Sequence, residues 1–445
     1  MEFGRHISKG LWAFADKALP AFYGIGYIFL VIRVLPQNEF GAFIIIQTIF
    51  VVVSTMSFSL ALQPLIKYGA EPGSKSPYIA ISLMFSAIVY IFATFVVIFG
   101  KHFLSSLLDP HGQANLPMLL NYIPMLFLSA LYRSFAVSLL QITYDIKKIF
   151  WIDAVYFLGT LILILFLQMS DKFKTAEDLI ILNIIGQGLS SLLALFLTFK
   201  MISIRFHMDQ TSLWKMLNYG KYIFGGNSVY TMFTQADIFF ISSFVGISGV
   251  AVYGAAKIFT RIFDVLGQVL QMFLIPYSSK TFSSGEMDSM RVTAEKTICF
   301  STILFLPIFF VLLIFPEKIL YILYSGKYTN AASLLMVFSF LALIAPWNGV
   351  STSYLLGMGK AKEGFYLGLV FIALTSLLYV TLTPTLGVLG TTLAFVISYL
   401  ISTILYVKYL DRFIPLNIIS VINRVKDANQ FLRKKLDILF FNKQS

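Results

Sequence analysis

Cysteine is almost missing from this chain, with one thiol, Cys299, in 445 residues. A lone cysteine in an apolar run builds neither a disulfide framework nor a thiolate metal site. His6, His102, His111 and His207 fall in polar connections without metal-ligand spacing, so no metal centre is expected. No glycine-rich loop of the ATPase type is present, and the chain is read as using no ATP and no cofactor. The N-terminus has no short apolar core followed by a small-residue cleavage site, so the first helix is expected to act as the insertion signal. Charge is scarce too, at 12% of residues.

What is abundant is apolar surface. The chain is 58% hydrophobic, with a mean hydropathy of +0.83. No soluble domain of this size could hide so much of it. Runs of about 20 residues or more imply membrane-spanning helices, because barrel strands need only about 10. Twelve such segments are expected, near 11–34, 40–66, 78–100, 116–142, 149–169, 177–199, 217–245, 250–278, 294–315, 331–356, 364–384 and 387–408. Several exceed the spanning length, which implies tilt or kinks.

The net charge of +12 takes its meaning from where the cations lie. With the N-terminus in the cytoplasm, the outer connections hold only Arg33, Lys101, Lys172, Lys174, Lys318 and Lys327. Lys17, Arg133, Lys257 and Arg261 fall inside spans. The remaining 23 of the 33 Lys and Arg residues are on the inner side, as the positive-inside rule demands. Both termini are therefore expected in the cytoplasm, and no nucleic-acid partner is inferred. The connections are too short to fold as separate domains, so the protein acts within or across the bilayer.

One stretch carries unusual polarity. Lys257, Arg261, Asp264, Gln268 and Gln271 recur at spacings of four and three inside an apolar run, so one helix would place them on one side. A charged residue at the bilayer centre costs about 2.5–3.5 kcal/mol on insertion scales. The stripe is read as lining a water-filled cavity. A self-neutralised helix contact, with Arg261 and Asp264 paired at i, i+3, is the bland alternative.

The basic connection at 200–216 divides the chain into six spans and six. Phe40-Gly41-Ala42 after the first span is echoed by Tyr253-Gly254-Ala255 in the second half. Leu139-Leu140 is echoed by Leu355-Leu356. Near-constant offsets suggest parallel repeats, although Leu- and Phe-rich helices also match by chance. The lobes are placed at 1–203 and 204–410. Charge within the spans is tallied as four cations against three anions, Asp16, Asp237 and Asp264. Gln47, Gln63, Gln141, Asn183, Gln187, Asn227, Gln235 and Asn348 are further polar candidates, either for a cavity or as glue between helices. Pro20, followed by Gly24 and Gly26, is a candidate hinge or else a static kink.

The run Leu30-Val31-Ile32-Arg33-Val34-Leu35-Pro36-Gln37-Asn38-Glu39-Phe40-Gly41 resembles the end of helix one and the start of helix two in polysaccharide exporters. These are lipid-linked oligosaccharide flippases, including the O-antigen type, of the multidrug/oligosaccharidyl-lipid/polysaccharide exporter superfamily. Val252 to Arg261, with Pro276-Tyr277-Ser278, resembles the eighth-helix pattern of the same group. The resemblance extends to about residue 410. It implies an all-α, polytopic membrane protein that is MATE-like, with 12 transmembrane helices in two six-helix lobes around a central cavity. It also implies alternating access and a substrate carried on a polyprenyl (pyro)phosphate, and no enzymatic activity. The peptidoglycan-precursor branch typically has two further helices that this chain lacks.

A hydrated anionic head cannot cross hydrocarbon unaided. Lys257 and Arg261 are the first choice for gripping phosphate, with Arg133 and Lys17 from the other lobe. Asp16, Asp237 and Asp264 are the candidates for neutralising these cations or binding a coupling proton or sodium ion. A drug/cation antiporter of the same superfamily is the second reading. It would favour an anionic cavity. A membrane glycan polymerase or ligase would need a sizeable outer loop. Residues 411–445 form a basic amphipathic tail, expected to lie on anionic lipid or, alternatively, to dock polysaccharide biosynthesis enzymes.

Overall fold

The computed structural model describes residues 22–69, 75–201 and 210–427, together with 12, 15, 16 and 18–20. Among these residues all regular structure is helical. In hydrocarbon, backbone polar groups must bond within their own segment, and a helix achieves this without an open edge.

The first compact unit comprises Met1–Val252 and Leu323–Lys327. Its helices are α1 (Ala18–Ile32), α2 (Gln37–Gly69), α3 (Lys75–Leu108), α4 (Leu116–Ile142), α5 (Ile146–Met169), α6 (Ala176–Met201), α7 (Gln210–Thr234) and α8 (Ala236–Phe244). Two of them widen locally to π-helix, α1 over Ile28–Ile32 and α2 over Phe58–Leu62. Ala61, Leu62, Leu65, Tyr78, Phe85, Phe135, Leu139 and Met216 form its main apolar cluster. Where α5 and α6 meet, a Cβ on Gly186 would overlap Thr160 Oγ1. Such close approach drives helix association where lipid is as apolar as the packing side chains.

Leu323–Lys327 lies far along the chain yet belongs to this unit, and Lys327 shows why. Its ammonium donates to the Val34 and Leu35 carbonyls, while Gln37 Nε2 donates to the Lys327 carbonyl at 2.8 Å. The last carbonyls of a helix have no intrahelical donor, and here a lysine supplies one. Burial pushes the Lys327 ammonium below its ordinary pKa.

The second unit comprises Tyr253–Ile322 and Tyr328–Ser445. The chain enters it through α9 (Ile247–Lys257) and continues in α10 (Arg261–Ser283) and α11 (Met287–Ile314). Then follow α12 (Pro316–Tyr324), α13 (Ala332–Ser339), α14 (Leu341–Gly357), α15 (Ala361–Leu410) and α16 (Ile418–Asn423). Leu274, Met290, Ile298, Cys299, Val350, Tyr354, Leu410 and Val421 share one cluster.

Eight helices among the described residues are long and apolar enough to cross a membrane. A ninth arises if Thr329–Ser339 and Leu341–Gly357, bent by 41°, form one broken span. The protein is therefore a multi-pass, all-α membrane protein. The first predicted segment corresponds to α1, a shorter apolar helix, and the seventh to α7 with α8, outside the eight. The amphipathic helix α12 occupies the stretch between the segments 294–315 and 331–356, which residue order alone reads as a connection.

Helix α15 accounts for two predicted segments. Fifty residues in one straight helix would measure about 75 Å, against a hydrocarbon core of about 30 Å. Instead, Gly387 adopts φ 60°, ψ −140°, a backbone region suited to glycine. Tyr406 OH donates to the Gly364 carbonyl at 3.0 Å, and Thr383 and Thr391 hydroxyls meet at 2.9 Å. Residues 42 apart in sequence touch only if the element folds back. It is a helical hairpin, turning where the segments 364–384 and 387–408 were separated.

Candidate functional site

The expected stripe from Lys257 to Gln271 is not one uninterrupted α-helix. Ile258–Thr260 tightens to a 3-10 turn between α9 and α10. Thr260 Oγ1 donates to the Lys257 carbonyl at 2.8 Å, so a side chain takes up an acceptor of that turn. A 3-10 helix has 3.0 residues per turn instead of 3.6, so three residues rotate the chain about 60° further. Lys257 is thereby carried off the line of Arg261. It is half-buried, with Nζ 5.5 Å from the centroid of the Tyr253 ring.

Within α10 the stripe holds. Projected down the axis, the helix has three sectors. Phe263, Leu270, Leu274 and Ser278 face inward; Leu274 packs with Val350, Tyr354 and Leu355 of α14, with Leu270 alongside. The glycine at 357 allows the Ser278 side to approach closely, because a Cβ there would overlap Ser278 Oγ. Arg261, Asp264 and Gln268 lie exposed in the next sector, with Gln271 half-buried at its inner edge. Val265, Val269, Met272 and Phe273 fill the third sector and are also uncovered, Val265 at 59% and Met272 at 73%. One side thus suits neighbouring helices, one suits lipid, and one suits water. Asp264 lies in the electrostatic field of both Lys257 and Arg261.

The first unit holds a different arrangement. Arg133 on α4 and Asp153 on α5 form an ion pair at 2.5 Å, with side chains 18% and 16% exposed. The guanidinium lies 4.6 Å from the Tyr156 ring centroid and 6.0 Å from that of Phe157. Tyr23 of α1 stacks on Tyr156, centroids 6.3 Å apart. Tyr156 OH donates to Asn183 Oδ1 at 3.4 Å, and Gln187 is buried one turn along α6. Arg133, for which Asp16, Asp237 and Asp264 were the candidate neutralising carboxylates, is paired instead with Asp153. Asp153 lies within the predicted fifth span, and the tally of three anions omitted it. With Asp153 added, that tally becomes four cations and four anions. A single acidic residue in an apolar run was the available signal.

Asp237 is completely buried in the first turn of α8, where its Oδ1 accepts the Ile238 N–H at 2.8 Å. A helix N-terminus stabilises a carboxylate through its dipole. Asp16 is buried; Lys17 lies outside the described residues. Among the hinge candidates, Pro20 is exposed within a helix and Gly24 is half-buried. Gly26 lies against α5, where an added Cβ would come within 2.8 Å of Leu161 Cδ1. Asn183 is not the sole amide candidate that joins a neighbouring group. Asn227 Nδ2 donates to Gln63 Oε1 at 3.1 Å, and Asn348 Nδ2 donates to Thr403 Oγ1 at 3.0 Å.

The arrangement can be set beside known proteins. A family model described as polysaccharide biosynthesis protein matches residues 30–333. An uncharacterised membrane protein of Methanocaldococcus jannaschii is 24% identical over 378 residues, covering 81% of this chain and 71% of that protein. The probable low-salt glycan biosynthesis flippase Agl15 of Haloferax volcanii is 22% identical over 201 residues, covering 45% of this chain and 43% of its own length. Among solved structures, the lipid II flippase MurJ in an inward closed conformation superposes with a TM-score of 0.76 at 12% identity, covering 98% of this chain and 94% of that one. An inward-facing MATE family multidrug transporter gives 0.73 at 14% identity, covering 90% and 93%. At these identities the structural likeness establishes the fold. The family model spans more than half of the chain, and with it the chain belongs to the polysaccharide biosynthesis protein family.

Proposed function

We propose that the protein is a flippase for polyprenyl-(pyro)phosphate-linked oligosaccharides. It moves these units across the cytoplasmic membrane by alternating access and so supplies surface polysaccharide assembly of the O-antigen or capsule kind. The observation that carries this reading is the three-sector helix α10. A lipid-linked glycan has an apolar tail, an anionic head and a hydrated sugar. α10 offers an uncovered apolar sector beside a polar one that begins with Arg261. Guanidinium groups bind phosphate through paired, charge-assisted hydrogen bonds. The family supports the substrate class, and Agl15 is named as a glycan biosynthesis flippase.

In this reading Arg261 is the primary phosphate ligand and Lys257 assists from the preceding turn. Arg133 and Lys17 serve the head group from the N-terminal lobe, residues 1–203, and the second lobe covers 204–410. Twelve passes place both termini in the cytoplasm, in keeping with the distribution of cations. Asp16, Asp237 and Asp264 are the carboxylates through which a proton or sodium gradient would drive the cycle. Gln268 and Gln271 extend the polar sector toward the sugar. Pro20, Gly24 and Gly26 supply the bend of α1. Any association with biosynthetic enzymes is loose.

The test uses the strain that carries the gene, with the chromosomal copy replaced by variants. Arg261→Ala should remove surface glycan and accumulate lipid-linked precursor on the inner leaflet, with normal amounts of protein in the membrane. Unchanged glycan with altered resistance to cationic drugs would instead assign the antiporter activity.

A further inference from the structure

We propose that residues 418–427 form a foot that lies in the membrane–water boundary and binds anionic lipid, its orientation fixed by an ion-pair network on α11.

The foot starts abruptly after the last hairpin. Asp411 Oδ1 accepts the Leu416 N–H at 2.8 Å, closing the turn after α15. Asn417 then caps α16, its side chain accepting the Ile419 N–H at 3.0 Å. The connection 411–417 is short, so α16 stays close to the end of a spanning arm. Leu410, Ile414 and Val421 share one buried cluster, which fixes that closeness.

One face is docked. Val421 enters the cluster with Met290, Ala294 and Ile298 of α11. Beside it, Arg424 binds Glu295 at 2.7 Å through a terminal nitrogen and at 2.9 Å through Nε. Asp427 joins Lys296 at 3.2 Å and Arg424 at 3.5 Å. Glu295 is only 3% exposed. Two cations and two anions cancel along this face, so it attracts no further charge. The network instead sets the rotation of the foot about its own axis.

That rotation turns the remaining apolar residues away from the protein. Ile418, Ile419, Ile422 and Val425 are exposed at 64%, 67%, 60% and 46%. On α16 the spacing of Ile418, Ile419 and Ile422 puts them on one face, away from the docked Val421, and Val425 follows just past the helix end. A soluble surface has no use for such a group of branched aliphatics. The boundary of a bilayer does, and a helix with this division lies in its plane. The surroundings favour the same occupant. Lys408, Arg412 and Lys426 are exposed beside the foot. Arg412 lies 5.1 Å from the Tyr409 ring centroid, and Lys360 lies 5.3 Å from that of Phe413. Aromatic rings paired with basic side chains are the composition of a membrane interface. The nearby Asp411 carboxylate offsets one of the three cations Lys408, Arg412 and Lys426. The charge of the rim is still positive, which selects anionic head groups over zwitterionic ones.

The test reads depth, not transport, so it stands or falls separately from the flippase assignment. The full chain is made in a Cys299→Ser background, with a single spin-labelled cysteine introduced by Ile422→Cys or by Asn423→Cys. Both positions are exposed, so neither label disturbs the core. The protein is reconstituted in phosphatidylglycerol or phosphatidylcholine bilayers, and collision with oxygen and with a water-soluble nickel chelate is measured. The expected result in phosphatidylglycerol is a label at 422 favouring oxygen and a label at 423 favouring nickel. The difference should shrink in phosphatidylcholine and disappear with Glu295→Gln, which frees Arg424. Equal nickel accessibility at 422 and 423 overturns the proposal. So does shielding of 422 from both reagents, which would mean a second copy or another protein covers the face. Equal depth in both lipids overturns the anionic preference.

Discussion

The two arginines proposed to serve the head group live in opposite circumstances. Arg133 sits between rings and a carboxylate, at 2.5 Å from Asp153. Arg261 stands exposed at the start of α10. A buried guanidinium without a partner would cost several kcal/mol, so Arg133 can exist where it does because Asp153 does. Arg261 has water or ligand available and needs no such partner. The first charge is held by the fold, and the second is presented by it. A phosphate reaching Arg133 must compete with Asp153; one reaching Arg261 replaces solvent.

That contrast can be broken or sharpened by mutation, beginning with the largest effect. Asp153→Ala should destabilise the protein by about 3–5 kcal/mol, because it strands a buried charge. The double change Arg133→Met with Asp153→Leu should recover most of that loss. Thermal unfolding in detergent decides, and a silent Asp153→Ala would show that the pair is not structural. Arg261→Glu should leave thermal stability unchanged. It should weaken head-group binding by on the order of 2 kcal/mol, about thirtyfold, measured by titration with a polyprenyl-phosphate sugar. Equal losses of stability for Arg261 and Arg133 variants would erase the distinction between them. Lys257→Met should have a smaller effect on the same titration, because the tightened turn draws this side chain back over Tyr253. Loss as large as that of Arg261→Glu would place both cations on one phosphate. Asn348→Ala should cost about 0.6 kcal/mol, the usual worth of one hydrogen bond between membrane helices, and should not affect binding.

The same particulars show how far residue order reaches. The apolar runs gave most spans, and the break set between 364–384 and 387–408 falls where the backbone of α15 reverses at Gly387. The polar sector of α10 followed from spacing alone, because Arg261, Asp264 and Gln268 share one regular helix. Lys257 did not follow, since nothing in Ile258-Phe259-Thr260 announces a 3-10 turn until the Thr260 hydroxyl is seen on the Lys257 carbonyl. The Arg133–Asp153 contact was out of reach for another reason. The two residues lie on different helices, and no local pattern relates them. Asp153 itself was visible as a lone acid among apolar neighbours. Gly26 was legible as a special residue but not for the reason that matters in the structure, which is the Leu161 side chain beside it.

The reversal at Gly387 bears on how the chain is made. Its two arms are joined with almost no intervening loop, and the turn, 384–390, carries no charge. A translocating segment of this kind has nothing costly to drag through hydrocarbon, so both arms can leave the translocon together as a preassembled pair. The sidedness of everything downstream, including the foot at 418–427, then hangs on a single backbone angle. Were that residue unable to turn, the final arm would run on and leave the carboxyl end on the opposite side of the bilayer.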